Sequence, residues 1–135
     1  MTDSAPLRIL LVDDECHIRG LMRQLIEMQG GEVIAEAADG EAAIEQNRLY
    51  HPDLIFLDIN MPKLNGDLAL PRLVADAPDA VIIMLSAQNT LETVENCIEA
   101  GAWNYILKGT PLAELIQMLE ESWPEYLAEC RRRRP

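Results

Sequence analysis

Short apolar runs alternate with amphipathic stretches along the whole chain. Five runs are typical of β-strands: Arg8 to Val12, Val33 to Ala37, Leu54 to Leu57, Val81 to Leu85 and Asn104 to Leu107. Most of them lack the polar alternation of a half-exposed strand, so we expect both of their faces to be covered. The pattern therefore predicts a parallel sheet enclosed between two layers of helices.

The stretches between these runs have apolar residues at helical spacing. The first carries a stripe that ends at Gly30 and Gly31 and consists of Ile18, Leu21, Met22, Leu25 and Ile26. The second helix is predicted from about Glu41 to Leu49, and the third from the turn at Gly66 to about Ala77. The fourth is predicted to follow a cap at Asn89, with Glu92 three residues on as in a capping box, and the fifth to follow Thr110 and Pro111. Alternation of this kind predicts an α/β fold: one doubly wound, five-stranded parallel sheet with helices on both faces.

Two prolines interrupt the helical pattern. Pro71 lies early in the third helix, where it removes a backbone hydrogen bond unless that helix starts late or bends. Pro124 is expected to break the last helix and to leave Glu125 to Arg134 as a separate short segment. The predicted organisation is a tail over residues 1–6, one domain over 7–121, and a helical extension with a basic end over 122–135.

Composition and charge limit which classes of function are possible. A chain of 135 residues with 49% hydrophobic and 25% charged residues is typical of one soluble globular domain. Its formal net charge of −12 repels phosphate backbones, which argues against direct nucleic-acid binding, although Arg131 to Arg134 form a local basic run. Those arginines either complement the end of a helix, dock on an acidic partner or second copy, or begin a linker.

Targeting signals and cysteine spacing favour a cytoplasmic protein. The start of the chain has no pattern of a secretory signal, and the longest apolar runs are too short to span a bilayer. Cys16, Cys97 and Cys130 are odd in number and widely separated, which predicts reduced thiols rather than a disulfide framework or a metal site.

Chemically reactive side chains follow four of the predicted strands. Asp13 and Asp14 end the first strand, Asp58 the third, Ser86 the fourth and Lys108 the fifth. Because the carboxyl ends of parallel strands meet at one edge of the sheet, we expect these side chains to share a crevice. Crowded carboxylates repel one another and either take up protons or bind a small hard cation such as Mg²⁺. An aspartate beside such a cation and a lysine can attack phosphorus and form an acyl phosphate.

The motifs that carry these residues resemble response-regulator receiver domains of two-component signalling, the CheY-like family. The resemblance covers about Leu7 to Leu119 and rests on Leu10-Leu11-Val12-Asp13-Asp14-Glu15, Asp53 to Pro62 with Asn65-Gly66, Met84-Leu85-Ser86-Ala87, and Ala100-Gly101-Ala102 leading to Tyr105-Ile106-Leu107-Lys108. It implies the flavodoxin-like receiver fold and a protein that catalyses only its own phosphorylation and dephosphorylation.

The resemblance also implies a role for each site residue. Asp58 is the expected phosphoacceptor, with Lys108 paired to the phosphoryl group and Ser86 and Tyr105 as the switch residues. The implied ligands of Mg²⁺ (or Mn²⁺) are Asp14, Asp58, the backbone carbonyl of Asn60 and, through water, Asp13.

Partners are implied in the same way. The phosphoryl donor is expected to be a sensor histidine kinase or a histidine phosphotransfer protein. Phosphorylation is expected to change the surface of the fourth helix, fifth strand and fifth helix. The protein then controls a downstream protein or passes the phosphoryl group onward. We expect a monomer or weak homodimer. Trp103 and Tyr105 lie near that surface, and for Trp103 an interface role and packing against a neighbouring helix are equally plausible.

One departure and two rival functions stay open. The family usually has proline after the site lysine, commonly through a cis bond, whereas Lys108 precedes Gly109. A different placement of Lys108 would alter the rates of phosphorylation or dephosphorylation.

The rival functions are a phosphate-independent adaptor with the same fold and a haloacid-dehalogenase-type phosphatase, although Asn60 stands where that phosphatase has its second acid.

Overall fold

Five parallel strands form one sheet at the centre of the molecule. The computed structural model describes residues 5–61, 63–87 and 90–133. The strands are β1 (Arg8–Val12), β2 (Glu32–Ala37), β3 (Leu54–Asp58), β4 (Val81–Ser86) and β5 (Asn104–Leu107). Their order in the sheet is β2-β1-β3-β4-β5, and every neighbouring pair is parallel. The predicted doubly wound α/β architecture is confirmed.

Helices cover both faces of the sheet. They are α1 (Cys16–Met28), α2 (Gly40–Tyr50), α3 (Gly66–Asp76), α4 (Leu91–Glu99) and α5 (Leu112–Arg133). Successive residues of each central strand point to opposite faces, so Ile9 and Leu11 enter the core beneath α1 and α5. Leu10 and Val12 enter the second core beneath α2, α3 and α4. Since β3 and β4 are buried along their whole length, these strands need no polar side chain until their carboxyl ends.

The expectation that Pro124 breaks the last helix is wrong. α5 runs without interruption to Arg133. Proline cannot donate to the carbonyl of Glu120 one turn earlier, but both residues are exposed, so water can satisfy that carbonyl. The segment beyond Pro124 is held by its apolar stripe, because Tyr126 and Cys130 are buried in the core.

The end of α5 is anchored by its arginines. Arg132 and Arg133 both pair with Glu129, and Arg133 also donates from Nη1 to the carbonyl of Ala80 at 2.9 Å. These contacts agree with the simplest interpretation of the basic run, in which it supports the carboxyl end of a helix. Arg134 lies outside the described residues.

One helix start differs in detail from expectation, and another agrees with it. α4 is capped by Thr90, whose hydroxyl accepts from the amide of Thr93 at 3.3 Å. Asn89, the predicted cap, lies outside the described residues. α3 begins at Gly66 and contains Pro71 in its interior. In the described part of the chain, no helix combines the length and hydrophobicity that crossing a membrane requires.

Candidate functional site

Three aspartates converge where β1 and β3 end. Asp13 directly follows β1, and Asp58 is the last residue of β3. One carboxylate oxygen from each of Asp13, Asp14 and Asp58 lies within 4.8 Å of the others, and we call these residues the acid cluster. Asp13 and Asp58 are each only 2% exposed, whereas Asp14 faces solvent. The predicted convergence of these three carboxylates is present in the structure.

Lys108 completes this edge of the sheet from the turn after β5. Its Nζ lies 2.9 Å from Oδ2 of Asp13 and 3.4 Å from Oδ2 of Asp58. A third carboxylate, that of Glu15, is 3.5 Å away. The backbone amide of Lys108 donates to the carbonyl of Ser86 at 2.8 Å, which fixes the lysine against the end of β4. An ammonium thus lies between the two buried acids.

Burial dominates the electrostatics of this site. It raises the pKa of Asp58 to about 6, and the charge of Asp13 adds to that shift while Lys108 opposes it. For Lys108, burial disfavours the ammonium, but the carboxylates of Asp13 and Asp58 outweigh it and raise its pKa. One lysine is therefore insufficient to neutralise the acid cluster.

The donor set fits a hard divalent cation. Oδ2 of Asp13 is buried and, within the described part of the chain, accepts no hydrogen bond; the ammonium of Lys108 forms an ion pair with it at 2.9 Å. A buried carboxylate oxygen in this state can take a cation without first losing a hydrogen bond. Carboxylates and a backbone carbonyl are the oxygen ligands that Mg²⁺ accepts, and exposed Asp14 leaves a side open to solvent.

A close backbone contact shapes the loop that follows Asp58. The amide of Gly66 donates to the carbonyl of Ile59 at 2.7 Å. A Cβ at position 66 would lie 1.8 Å from the carbonyl oxygen of Asp58, so only glycine fits here. The side chain of Asn65 accepts from the amide of Met61 at 3.3 Å and closes the same loop. Asn60, whose carbonyl is the remaining expected ligand, is exposed within it.

The expected switch residues lie on β4, which adjoins the strand of Asp58, and on β5 beyond it. Ser86 is fully buried at the end of β4. Tyr105 is half-buried on β5, opposite Met84 in the strand register, and packs against the core beneath α2, α3 and α4. Their switch role stays a prediction.

Trp103 is used for packing in this structure. It is half-buried, joins the core beneath α1 and α5, and its ring centroid lies 5.8 Å from that of Tyr126 in an edge-to-face arrangement. Of the two interpretations open at the sequence level, the geometry supports packing. Exposed apolar residues of α4 and of the start of α5 include Leu91, Ile98 and Leu112.

The peptide bond after Lys108 needs no special geometry. No cis peptide bond occurs among the described residues, and Gly109 has an ordinary backbone conformation. A Cβ at Gly109 would meet nothing within 4 Å. Lys108 therefore reaches the acid cluster without the proline that usually follows the lysine in the resembled family.

Sequence reasoning missed two charged residues next to the site. Glu15 reaches Lys108, as described above, and Arg19 donates from Nη1 to the backbone carbonyl of Asp13 at 2.6 Å. The sequence signal for this contact was the short spacing from Asp13 to Arg19, which places the arginine side chain over the first turn of α1. A contact to a backbone carbonyl leaves no trace in residue types, so the pattern alone did not reveal it.

Comparison with known families gives a match over most of the chain. Residues 9–120 match the response regulator receiver domain. The chain is 39% identical over 101 residues to the chemotaxis protein CheY of Bacillus subtilis, covering 75% of this chain and 84% of that protein. It is 33% identical over 117 residues to the transcriptional regulatory protein PdtaR of Mycobacterium tuberculosis. That match covers 87% of this chain but only 57% of PdtaR.

Solved structures share the same fold. CheY in the CheX–CheY–BeF3–Mg²⁺ complex of Borrelia burgdorferi superposes with a TM-score of 0.80 at 30% identity, covering 87% of this chain and 90% of that chain. The response regulator domain of Thermotoga maritima CheB also has a TM-score of 0.80, at 28% identity, covering 96% of this chain and 99% of that chain. Sequence and structure thus agree on one class of domain.

Proposed function

Because the chain belongs to the response-regulator receiver domain family, whose general role is that of a phosphorylation-dependent signalling switch, we propose that Asp58 accepts a phosphoryl group. Receiver domains are regulatory signalling domains and not classical enzymes. The observation that carries the proposal is the position of Asp58: buried at the end of β3, within the acid cluster and 3.4 Å from the ammonium of Lys108.

The chemistry follows from this arrangement. A carboxylate oxygen of Asp58 attacks phosphorus, an O–P bond forms, and the bond from phosphorus to the donor breaks with its electron pair staying on the donor. Asp14, Asp58 and the carbonyl of Asn60 would hold Mg²⁺ (or Mn²⁺), with Asp13 acting through water. When bound, the cation offsets the negative charge that gathers on the phosphoryl oxygens. Lys108 is close enough to Asp58 to pair with one of those oxygens.

Reversal is part of the same proposal. Attack of water on phosphorus breaks the O–P bond, releases inorganic phosphate and restores the carboxylate of Asp58. The domain thus catalyses only its own phosphorylation and dephosphorylation.

Ser86 and Tyr105 carry the signal away from Asp58. A phosphoryl group adds negative charge and strong hydrogen-bond acceptors, and we propose that the hydroxyl of Ser86, at the end of β4, donates to it. Movement of Ser86 frees space beside β4 that Tyr105 on the adjacent strand takes up. Moving a two-state equilibrium from mostly inactive to mostly active requires about 5 kcal/mol of differential interaction, which a few charge-assisted hydrogen bonds supply. The surface of α4, β5 and α5 changes as a result.

Two kinds of partner belong to the proposed function. A sensor histidine kinase or histidine phosphotransfer protein donates phosphate, and a downstream protein reads the changed surface or accepts phosphate in turn. Among the described residues, Cys16, Cys97 and Cys130 form no disulfide, and a cytoplasmic location stays part of the proposal.

The rival functions receive less support. Asn60 occupies the place of the second acid in a haloacid-dehalogenase-type phosphatase, and an amide cannot protonate a leaving group. A phosphate-independent adaptor would have no use for three crowded carboxylates, among which burial, and then the charge of Asp13, raises the pKa of Asp58. Both alternatives predict that the protein forms no stable aspartyl phosphate.

Labelling with acetyl phosphate tests the proposal. With Mg²⁺ present, we expect the intact mass of the wild-type protein to increase by one phosphoryl group. The variant Asp58→Asn should stay unlabelled, because its amide is not nucleophilic, whereas Asp79→Asn, an exposed aspartate at the opposite edge, should label normally. Equal labelling of Asp58→Asn, or no labelling of the wild type, contradicts the proposal.

A further inference from the structure

Arg19 reaches from α1 back over the turn that carries two members of the acid cluster. Its Nη1 donates to the backbone carbonyl of Asp13 at 2.6 Å, and its Nε donates to Oε1 of Glu36 at 2.8 Å. One guanidinium therefore connects the β1–α1 turn with the exposed side of β2. The fixed planar geometry of arginine suits it to hold two acceptors at once.

The carbonyl of Asp13 needs such a donor. β1 ends at Val12, so Asp13 lies just beyond the strand. Its amide still donates to the carbonyl of Ala37 at 3.0 Å, and its side chain accepts from the amide of Glu15 at 2.9 Å. Arg19 binds the backbone carbonyl of this residue. The peptide that joins Asp13 to Asp14 is thereby fixed, and with it the direction in which the exposed Asp14 leaves the backbone.

Glu36 anchors the guanidinium. It pairs with both Arg19 and Arg23, and the hydrogen bond from Arg23, helped by the one from Arg19, lowers its pKa against the opposing effect of burial. Its negative charge offsets that of Arg19, which reduces repulsion between the guanidinium and a cation at the acid cluster. In the described part of the chain, Arg23 makes no hydrogen bond or ion pair with the β1–α1 turn.

We propose that Arg19 is a positioning residue for the cation site: held by Glu36, it fixes the Asp13–Asp14 peptide so that both carboxylates are preset for a divalent cation. This inference rests on the proposed function, because it concerns the same acid cluster. Arg19 itself touches neither the cation nor the phosphoryl group. It acts through the backbone of Asp13.

The pair Arg19 and Arg23 provides a matched test by calorimetric titration with Mg²⁺. We expect Arg19→Gln to weaken Mg²⁺ binding about tenfold, the size typical of losing a group that orients a metal ligand. Arg23→Gln removes the same charge from the same carboxylate and should bind Mg²⁺ almost as the wild type does. Arg19→Lys should restore part of the affinity, since an ammonium can still donate to the carbonyl of Asp13.

A second measurement needs no metal. Hydrogen exchange at the amides of Asp14 and Glu15 should be faster in metal-free Arg19→Gln than in Arg23→Gln, because only the first variant releases the turn. Equal Mg²⁺ affinities and equal exchange rates in the two variants overturn the inference, as does tighter Mg²⁺ binding by Arg19→Gln. If the wild type binds no Mg²⁺, the proposed function fails, and the exchange rates still decide whether Arg19 holds the turn.

Discussion

The two edges of the sheet are built in opposite ways. At the carboxyl edge, three carboxylates lie within 4.8 Å of one another and burial raises the pKa of Asp58 to about 6. At the amino edge, Tyr126 of α5 meets three other aromatic rings edge-to-face, at centroid distances of 5.8 to 6.4 Å. We call this second group the aromatic cluster; it consists of Phe56, Trp103, Trp123 and Tyr126.

The difference shows where stability and reactivity come from. The acid cluster opposes folding unless a cation or a proton neutralises it. The aromatic cluster buries large apolar side chains, which favours folding whatever the ionic conditions. A domain that keeps a repulsive site at one edge needs a compensating core elsewhere, and the last turns of α5 provide part of it.

The largest effect is expected at the aromatic cluster. Trp123→Ala should lower the free energy of unfolding by about 3–5 kcal/mol, because it leaves a cavity beside Tyr126 and Gly31. Urea denaturation followed by circular dichroism measures the loss. Labelling by acetyl phosphate should persist under native conditions, since the acid cluster is untouched.

Leu112→Ala is the matched control for Trp123→Ala, as it removes an exposed apolar side chain from the same helix. We expect a change below about 0.5 kcal/mol. A loss for Trp123→Ala as small as that of the control would show that the segment around Pro124 adds nothing to the core.

At the acid cluster the expected change has the opposite sign. Without divalent cations at pH 8, Asp58→Asn should raise the free energy of unfolding by about 1–3 kcal/mol, because it removes a carboxylate that burial and Asp13 destabilise. Asp58 has a higher pKa in the folded than in the unfolded chain. The wild type should therefore lose stability as pH rises from about 4 to about 6, and the variant should not.

Denaturation at several pH values, with and without Mg²⁺, measures this difference, and Asp79→Asn serves as an exposed control. Excess Mg²⁺ should stabilise the wild type by mass action and the Asp58→Asn variant less. If the wild type grows more stable than Asp58→Asn between pH 4 and pH 6, the acid cluster is not repulsive.

The smallest effect is expected at Gly109, beside the lysine of the same edge. Gly109→Ala should change the free energy of unfolding by less than about 1 kcal/mol and leave phosphoryl lifetime unchanged, as its Cβ meets open space. Gly109→Pro restricts the backbone of Lys108 and should alter the rates of both phosphorylation and dephosphorylation. Rates that are equal in the two variants would remove any role for the residue after Lys108.

The hydrophobic pattern was sufficient to predict the sheet. β1 and β5 begin and end where the apolar runs do, and Asp58, Ser86 and Lys108 lie at strand ends as expected. Because the central strands are buried on both faces, their residues are almost all apolar, and such runs are easy to recognise in the sequence. The convergence of the acids followed from topology, since parallel strands align their carboxyl ends.

Tertiary contacts explain what the pattern could not predict. The sequence shows that Pro124 removes a backbone hydrogen bond, so a helix end was predicted there. The packing of Tyr126 and Cys130, which outweighs this loss, is not visible in the sequence. The contact of Arg19 with the carbonyl of Asp13 depends on the path of the turn. The need for glycine at position 66 likewise arises from the backbone of a distant strand end.

The placement of the tryptophans has a practical consequence. The chain has two tryptophans, and both pack edge-to-face against Tyr126 at the amino edge. Intrinsic fluorescence of this protein should therefore report how α5 and the start of β5 pack, and these elements belong to the surface that the proposed phosphorylation changes. The two native tryptophans thus offer a label-free probe of whether a change at Asp58 reaches the opposite edge of the sheet.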